Sequence, residues 1–241
     1  EFLIFLDGDT ILNQDFAIKY LNKSFLNSNE FISGDLINYF HDNNYRFLYS
    51  EPYWRERLKQ DRYENTTGGN FCISKRIWNK LNGMKVYYRR NQDNDFGFRV
   101  YKKFNIKLLR IKDVFLIHQT ISYTSKFRLF EILFAGDFLF RGVLIREHLF
   151  MVNQLKNLIR IDYSFISLLI SFFIFLITYN LSSFFIFLGV VFLRSIFSYF
   201  NYSENFLLYF IYILIRDIQI FLGFLFYYPS KKKNIKFKKI R

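Results

Sequence analysis

Two aspartates one residue apart, in the stretch EFLIFLDGDTIL, are the first side chains in this chain with the spacing to do chemistry. Asp7 and Asp9 flank Gly8 directly after a five-residue apolar run, Phe2 to Leu6. Carboxylates at i and i+2 on a turn can reach one hard cation, and Gly8 lets another group approach the backbone closely. A Mg²⁺ or Mn²⁺ ion held this way keeps positions open for phosphate oxygens. The same residues also suit an Asp-Gly turn whose second aspartate is solvated. Further on, NTTGGNFCIS sets Gly68 and Gly69 where a tight loop can approach a ligand, and Asn70 offers an amide to hydroxyls or phosphate. A plain strand-entry turn fits those residues equally well. RRNQDNDFGFRVYKK repeats the i, i+2 spacing in Asp93 and Asp95. Asp93, at the turn before a helix, can deprotonate an alcohol if partial burial raises its proton affinity. Asp95 and Arg99, four apart, also suit a helix-surface pair. His118 follows the apolar run VFLI, a position more often structural than ligating.

The elements that would position these residues alternate. EFLIFL reads as a strand buried on both faces, as in a parallel sheet. Gln14 to Leu26 reads as a helix and FISGDLI as a strand. FCIS is a strand, and SKRIWNKLNG is a helix that Gly83 terminates. Asp95 to Lys103 is expected to be helical, and KLLRI and VFLIH to be two late strands. Alternation of this kind predicts an α/β layer architecture.

Composition then changes near residue 163. The chain has 241 residues, with 34 Phe, 18 Tyr, 2 Pro and a net charge of +14, yet its mean hydropathy is slightly positive. That combination points to a membrane surface or a polyanionic ligand. The single Cys72 excludes an internal disulfide and any Cys-rich metal site, and suits a reducing compartment. From Tyr163 to Tyr228 the only acids are Glu204 and Asp217, and the only bases are Arg194 and Arg216. We therefore read 1–125 as catalytic, 126–162 as membrane-proximal interfacial segments, 163–230 as a membrane region and 231–241 as a basic tail. In KFRLFEILFAGDFLFRG the polar positions scatter round a helical wheel, and Gly136 and Gly142 indicate short, broken segments near the surface. Spans are expected at 163–180 and 183–200, joined by a turn at Asn180 to Ser183, with 206–228 interfacial or a third span. Arg216 and Asp217 should face protein or water. Seven of the eleven residues of KKKNIKFKKIR are Lys or Arg, which places the tail, and with it the catalytic region, on the cytoplasmic side of the cell's inner membrane. No nucleic-acid recognition motif accompanies the basic charge.

Two families place an Asp pair after an apolar strand. Haloacid-dehalogenase-type phosphatases do so as D-x-D-x-T, but Ile11 stands where their threonine falls, and no convincing acidic pair for their metal follows downstream. In chain order, LDGDTIL, TTGGNFCISKRIWNKLNGM, QDNDFGFR, IHQTISY with the Arg128 region, and then apolar helices resemble the family-2 glycosyltransferases of GT-A fold, best over residues 1–145. The resemblance implies the C-terminal portion of a Rossmann-like GT-A domain followed by transmembrane or interfacial helices. It implies that Asp7, Gly8 and Asp9 bind a nucleotide-sugar donor through Mg²⁺ or Mn²⁺, with His118 near the metal or diphosphate. Asp93 would be the base of an inverting transfer to a lipid-linked or cell-surface glycan acceptor. Gln92 replaces the glutamate usual beside that base, and Gly68, Gly69, Asn70, Asp95 and Arg128 would line the donor–acceptor cleft. The chain lacks the Gln-x-x-Arg-Trp signature of processive synthases, which implies single-sugar transfer. In this family a nucleotide-binding half precedes the Asp-x-Asp motif. Only six residues precede Asp7 here, so the resemblance implies an upstream half and an inactive fragment without it. The alternative reading is a non-catalytic membrane protein whose basic face binds anionic lipid.

Overall fold

The computed structural model describes residues 1–42, 44–53, 56–65, 68–121, 133–202 and 206–229. The basic tail and the Arg128 region lie outside them. The chain forms two compact units, one of Glu1–Lys85 with Gln92–Thr124 and one of Val86–Asn91 with Ser125–Arg241.

The first unit is mixed α/β. Its strands are β1 (Phe2–Phe5), β2 (Thr10–Leu12), β3 (Phe31–His41), β4 (Phe47–Pro52), β5 (Arg62–Glu64), β6 (Phe71–Ser74) and β7 (Leu108–Ile121). They form one sheet in the order β1-β6-β3-β7-β2, with β4 added on β3 and β5 on β7. Strand alternation sends neighbouring residues to opposite faces. Ile32, Cys72, Ile111 and Phe115 pack on one face against Phe16 of α1 (Gln14–Tyr20) and Leu26 of α2 (Lys23–Ser28). Phe31, Phe71, Ile73 and Leu108 pack on the other, against Ile77 of α3 (Lys75–Lys80) and Phe96 and Val100 of α4 (Gln92–Phe104). Each fully buried Phe contributes about 1.5–3 kcal/mol by leaving water.

Several expectations change in the structure. Only β3 and β7 pair in parallel among the described strands, and β1 lies at an edge, antiparallel to β6. With that single neighbour, β1 leaves Ile4 and the following Leu6 exposed, so the apolar run is not buried on both faces. The helix expected from Gln14 to Leu26 is two, because the Asn22 side chain accepts from Phe25 N and caps a new one. KLLRI and VFLIH belong to one strand, β7, whose register against β3 slips between Gly34 and Leu36 and so absorbs Lys112, Asp113 and Phe115. Helix α3 does stop at Gly83, whose φ is 64° and whose N–H bonds Trp78 O at 3.0 Å.

The second unit is helical: α5 (Asp137–His148), α6 (Val152–Ile161), α7 (Tyr163–Thr178), α8 (Phe184–Tyr202) and α9 (Phe206–Leu225). The turn expected at Asn180 to Ser183 is a 3₁₀ turn at Leu181–Ser183, with Asn180 Oδ1 accepting from Ser182 N at 2.9 Å. Gly142 is not a break but the middle of α5. A Cβ there would lie 2.1 Å from Ile220 O, and one on Gly223 would lie 2.1 Å from Leu139 O. Helices α5 and α9 thus cross backbone to backbone through two glycines, as small residues permit. Arg216 and Asp217 face the interior of this unit and leave α9 unbroken, so helix lengths reorder the expected spans. Among the described residues α9 alone is long and apolar enough to cross a membrane, by length and composition. The 16-residue α7 joins it only if counted with the preceding helix across a 91° bend. Helix α6 keeps Leu158 buried and exposes Val152, Leu155 and Ile159, an apolar stripe at helical spacing.

Candidate active site

The Asp7–Gly8–Asp9 turn lies between β1 and β2. It is closed by Thr10, whose backbone N and Oγ1 both donate to Asp7 O, at 3.1 and 2.7 Å. The two carboxylates then part company. Asp7 turns toward the Gly68–Gly69–Asn70 loop, and Asp9 toward β7.

On the Asp7 side, Asn70 is buried just before β6 and accounts for both ends of its amide. Asp7 N donates to Asn70 Oδ1 at 2.7 Å, and Asn70 Nδ2 donates to Asp7 Oδ2 at 2.9 Å. Ser33 Oγ fixes the Asn70 carbonyl at 2.7 Å. Gly69, at φ 83°, presses so close that a Cβ would sit 2.9 Å from Asp7 Oδ2. Asn70 is therefore a positioning residue for Asp7, not a free cleft amide. Asp93 stands in the first turn of α4, since the helix begins at Gln92, one turn earlier than expected. Burial pushes its carboxyl above the usual carboxylate range, and the Asp7 charge adds to that. The backbone N–H groups of Asn94, Asp93 and Gly68 oppose it. The glycine loop thus touches both carboxylates.

On the Asp9 side, β2 pairs with β7 so that Thr10 faces His118. His118 Nε2 lies 3.1 Å from Asp9 Oδ2, its Nδ1 lies 2.8 Å from Asn38 Oδ1 on β3, and Tyr53 packs edge-on to its ring. With Nδ1 turned to Asn38 Oδ1, Nε2 is the ring nitrogen presented to the carboxylate. Two electron-rich groups at that distance need a proton or a cation between them. An orienting acceptor behind a ligating imidazole is the usual second layer of a metal site. Among the described residues, Asp7, Asp9 and His118 do not bring three ligand atoms within 4.8 Å of one another, so only the Asp9–His118 pair converges. Gly8 has open space where its Cβ would be.

Asp95 is not in the cleft. It is fully buried, held by Lys85 Nζ at 2.9 Å and Arg99 Nε at 2.8 Å, while Arg99 also bonds Leu81 O and Gly83 O at the end of α3. The i, i+4 pair is real but interior. Gln92 is half-buried at the start of α4, and Arg128 lies outside the described residues. Burial pushes the Cys72 thiol up to about 12, which makes it a core residue without nucleophilic character.

Sequence reasoning missed Asn38 and Arg110. Arg110 is buried on β7 below the glycine loop, bonding Glu64 at 2.7 Å, Ser33 Oγ at 3.3 Å and Gly34 O at 3.2 Å. The only local signal was an arginine inside the apolar strand LLRI. Comparison with protein-family models and with curated proteins finds no match to this chain.

Proposed function

We propose that the first unit carries the metal-binding and base residues of a GT-A glycosyltransferase, moving a sugar from a nucleotide-sugar donor to an acceptor hydroxyl with inversion. One observation carries the reading: an exposed carboxylate–imidazole pair and a raised-pKa carboxyl meet on the two sides of a single Asp-x-Asp turn. Asp9 and His118 would hold the metal. An imidazole nitrogen beside a carboxylate oxygen suits Mn²⁺ better than Mg²⁺, which prefers oxygen donors. When bound, the ion neutralises charge on the leaving diphosphate. Asp7, locked by Asn70, holds the turn and keeps negative charge beside Asp93. Asp93 takes the proton from the acceptor hydroxyl, and its raised pKa brings it toward the operating pH. The apolar stripe on α6 and the length of α9 support a membrane location, which suits a lipid-linked or glycan acceptor, and the basic composition of residues 231–241 favours the cytoplasmic side.

The test is nucleoside diphosphate release by the full-length product from a panel of nucleotide sugars with Mn²⁺. Wild type should turn over at least one donor, and Asp9→Asn and Asp93→Asn should abolish it. No release from any donor sinks the proposal. Anionic-lipid binding that survives both substitutions, with no transfer, would leave the non-catalytic alternative.

A further inference from the structure

The helical unit holds a second polar site, independent of the reaction in the first. A cavity of about 500 Å³ opens among its helices, within the range of small-ligand sites. Arg141 of α5, Arg194 of α8 and Arg216 of α9 line it, together with Asp162, which joins α6 to α7, and the rings of Phe138 and Tyr212.

Asp162 serves two of the three cations. Arg141 Nη2 bonds its Oδ2 at 2.7 Å, and Arg216 Nη2 bonds its Oδ1. Arg216 Nε also lies 3.8 Å from Asp217 Oδ1. Arg194 has no carboxylate within 4.0 Å among the described residues; its Nη1 donates to Ser164 Oγ at 2.7 Å and its plane lies over Tyr163. Three guanidinium forks therefore stand against two carboxylates, Asp162 in the cavity wall and the buried Asp217 beside Arg216, which leaves one positive charge in excess. Holding positive charge among apolar helices is costly unless an anion compensates it. One carboxylate has two oxygens and is already shared. A phosphate group offers three or four, and guanidinium forks match it in pairs. The aromatic and aliphatic wall suits an apolar substituent on that phosphate.

We propose that Arg141, Arg194 and Arg216 form a binding site for a phosphate group, with Arg194 supplying the uncompensated charge and the aromatic wall accepting an apolar substituent.

The thermal midpoint of the full-length protein in neutral detergent, titrated with short-chain phosphatidic acid, inorganic phosphate or short-chain phosphatidylcholine, tests this. A ligand that binds only the folded state raises the midpoint with concentration. Phosphatidic acid should raise it and phosphatidylcholine should not. Arg194→Gln should weaken the apparent affinity about tenfold or more, the worth of one charge-assisted contact. Arg194→Lys should lose less, and Arg160→Gln, on the exposed side of α6, should lose nothing. An equal response to inorganic phosphate keeps the site and assigns a free anion; a stronger response to phosphatidic acid assigns a lipid headgroup. The site is overturned if neither phosphate compound raises the midpoint, or if Arg194→Gln and Arg194→Lys fold and respond like wild type.

Discussion

The two units treat ionised groups in opposite ways. In the α/β unit the candidate catalytic carboxylates stay partly exposed and are held by groups other than lysine or arginine: the Asn70 amide for Asp7, N–H groups for Asp93, the His118 ring for Asp9. In the helical unit the charges are buried between apolar helices and paired with each other, as Arg141 and Arg216 are with Asp162. Neutral partners fix a carboxylate without neutralising it, which leaves its charge available to a ligand. A buried ion pair consumes the charge to tolerate burial. Arg194 is the exception among the three arginines of the cavity, bonding the Ser164 hydroxyl instead of sharing Asp162.

Five substitutions would break or sharpen this contrast. The largest effect belongs to the glycine crossing. Gly142→Ala should destabilise the protein by several kcal/mol, because its Cβ meets backbone that cannot move aside. Gly189→Ala in α8, where a Cβ would meet nothing within 4 Å, should stabilise by up to about 1 kcal/mol. Opposite signs in denaturant or thermal melts are expected, and equal signs would refute the close crossing. Next, Asp162→Asn leaves one buried guanidinium, Arg216, and one largely buried, Arg141, short of an anion and should cost about 3–5 kcal/mol. A melt within 1 kcal/mol of wild type, by the same scale, would mean the pairs are solvated.

Asp93→Asn should act oppositely on rate and stability. Transfer should fall by about 10²–10⁴, the usual worth of a general base. A carboxyl whose folded pKa is raised binds its proton more tightly folded than unfolded. It therefore weakens the fold as pH rises through the window from its ordinary value up to the raised one. Removing it should raise the midpoint at neutral pH, and a lowered midpoint would contradict its burial. In wild type, the acid limb of kcat against pH should lie above the ordinary carboxylate value. The smallest effect is expected for Asn38→Ala, which leaves both candidate ligands in place. It should weaken Mn²⁺ binding about 10–100-fold, measured calorimetrically, as loss of an orienting partner does. Unchanged affinity would remove Asn38 from the site.

What could be read from the sequence followed the range of its physics. The Asp-x-Asp turn, the FCIS strand and the Gly83 stop depend on neighbours a few residues apart, and all three are present. The proximity of Asp7 to Asn70, 63 residues on, or of Asp9 to His118, 109 residues on, depends on sheet order. The four motifs hinted at that convergence without giving its geometry. Asn70 looked like a ligand-facing amide because nothing local shows that Asp7 occupies it. Asp95 looked like cleft lining because its second cation, Lys85, comes from outside its helix. The apolar run before the turn looked doubly buried because hydrophobicity says nothing of how many neighbours a strand has. Asn22 was a missed signal of another kind: it is a preferred helix-capping residue, visible to anyone weighing caps above periodicity.

The slip in β7 has one more consequence. Between Gly34 and Leu36 the parallel partner advances from Ile111 to Leu116, five residues against two. The three extra residues are an odd number, so they invert the phase of the pleat, and Ile111 before the slip and Leu116 after it reach the same core. His118 faces Asp9 only because that count is right. A one-residue deletion at Lys112 would shift everything downstream by half a period and turn the imidazole to the opposite face. Single-residue insertions and deletions in this short stretch should therefore be far less tolerable than any point change there, although no residue in it touches the candidate metal ligands.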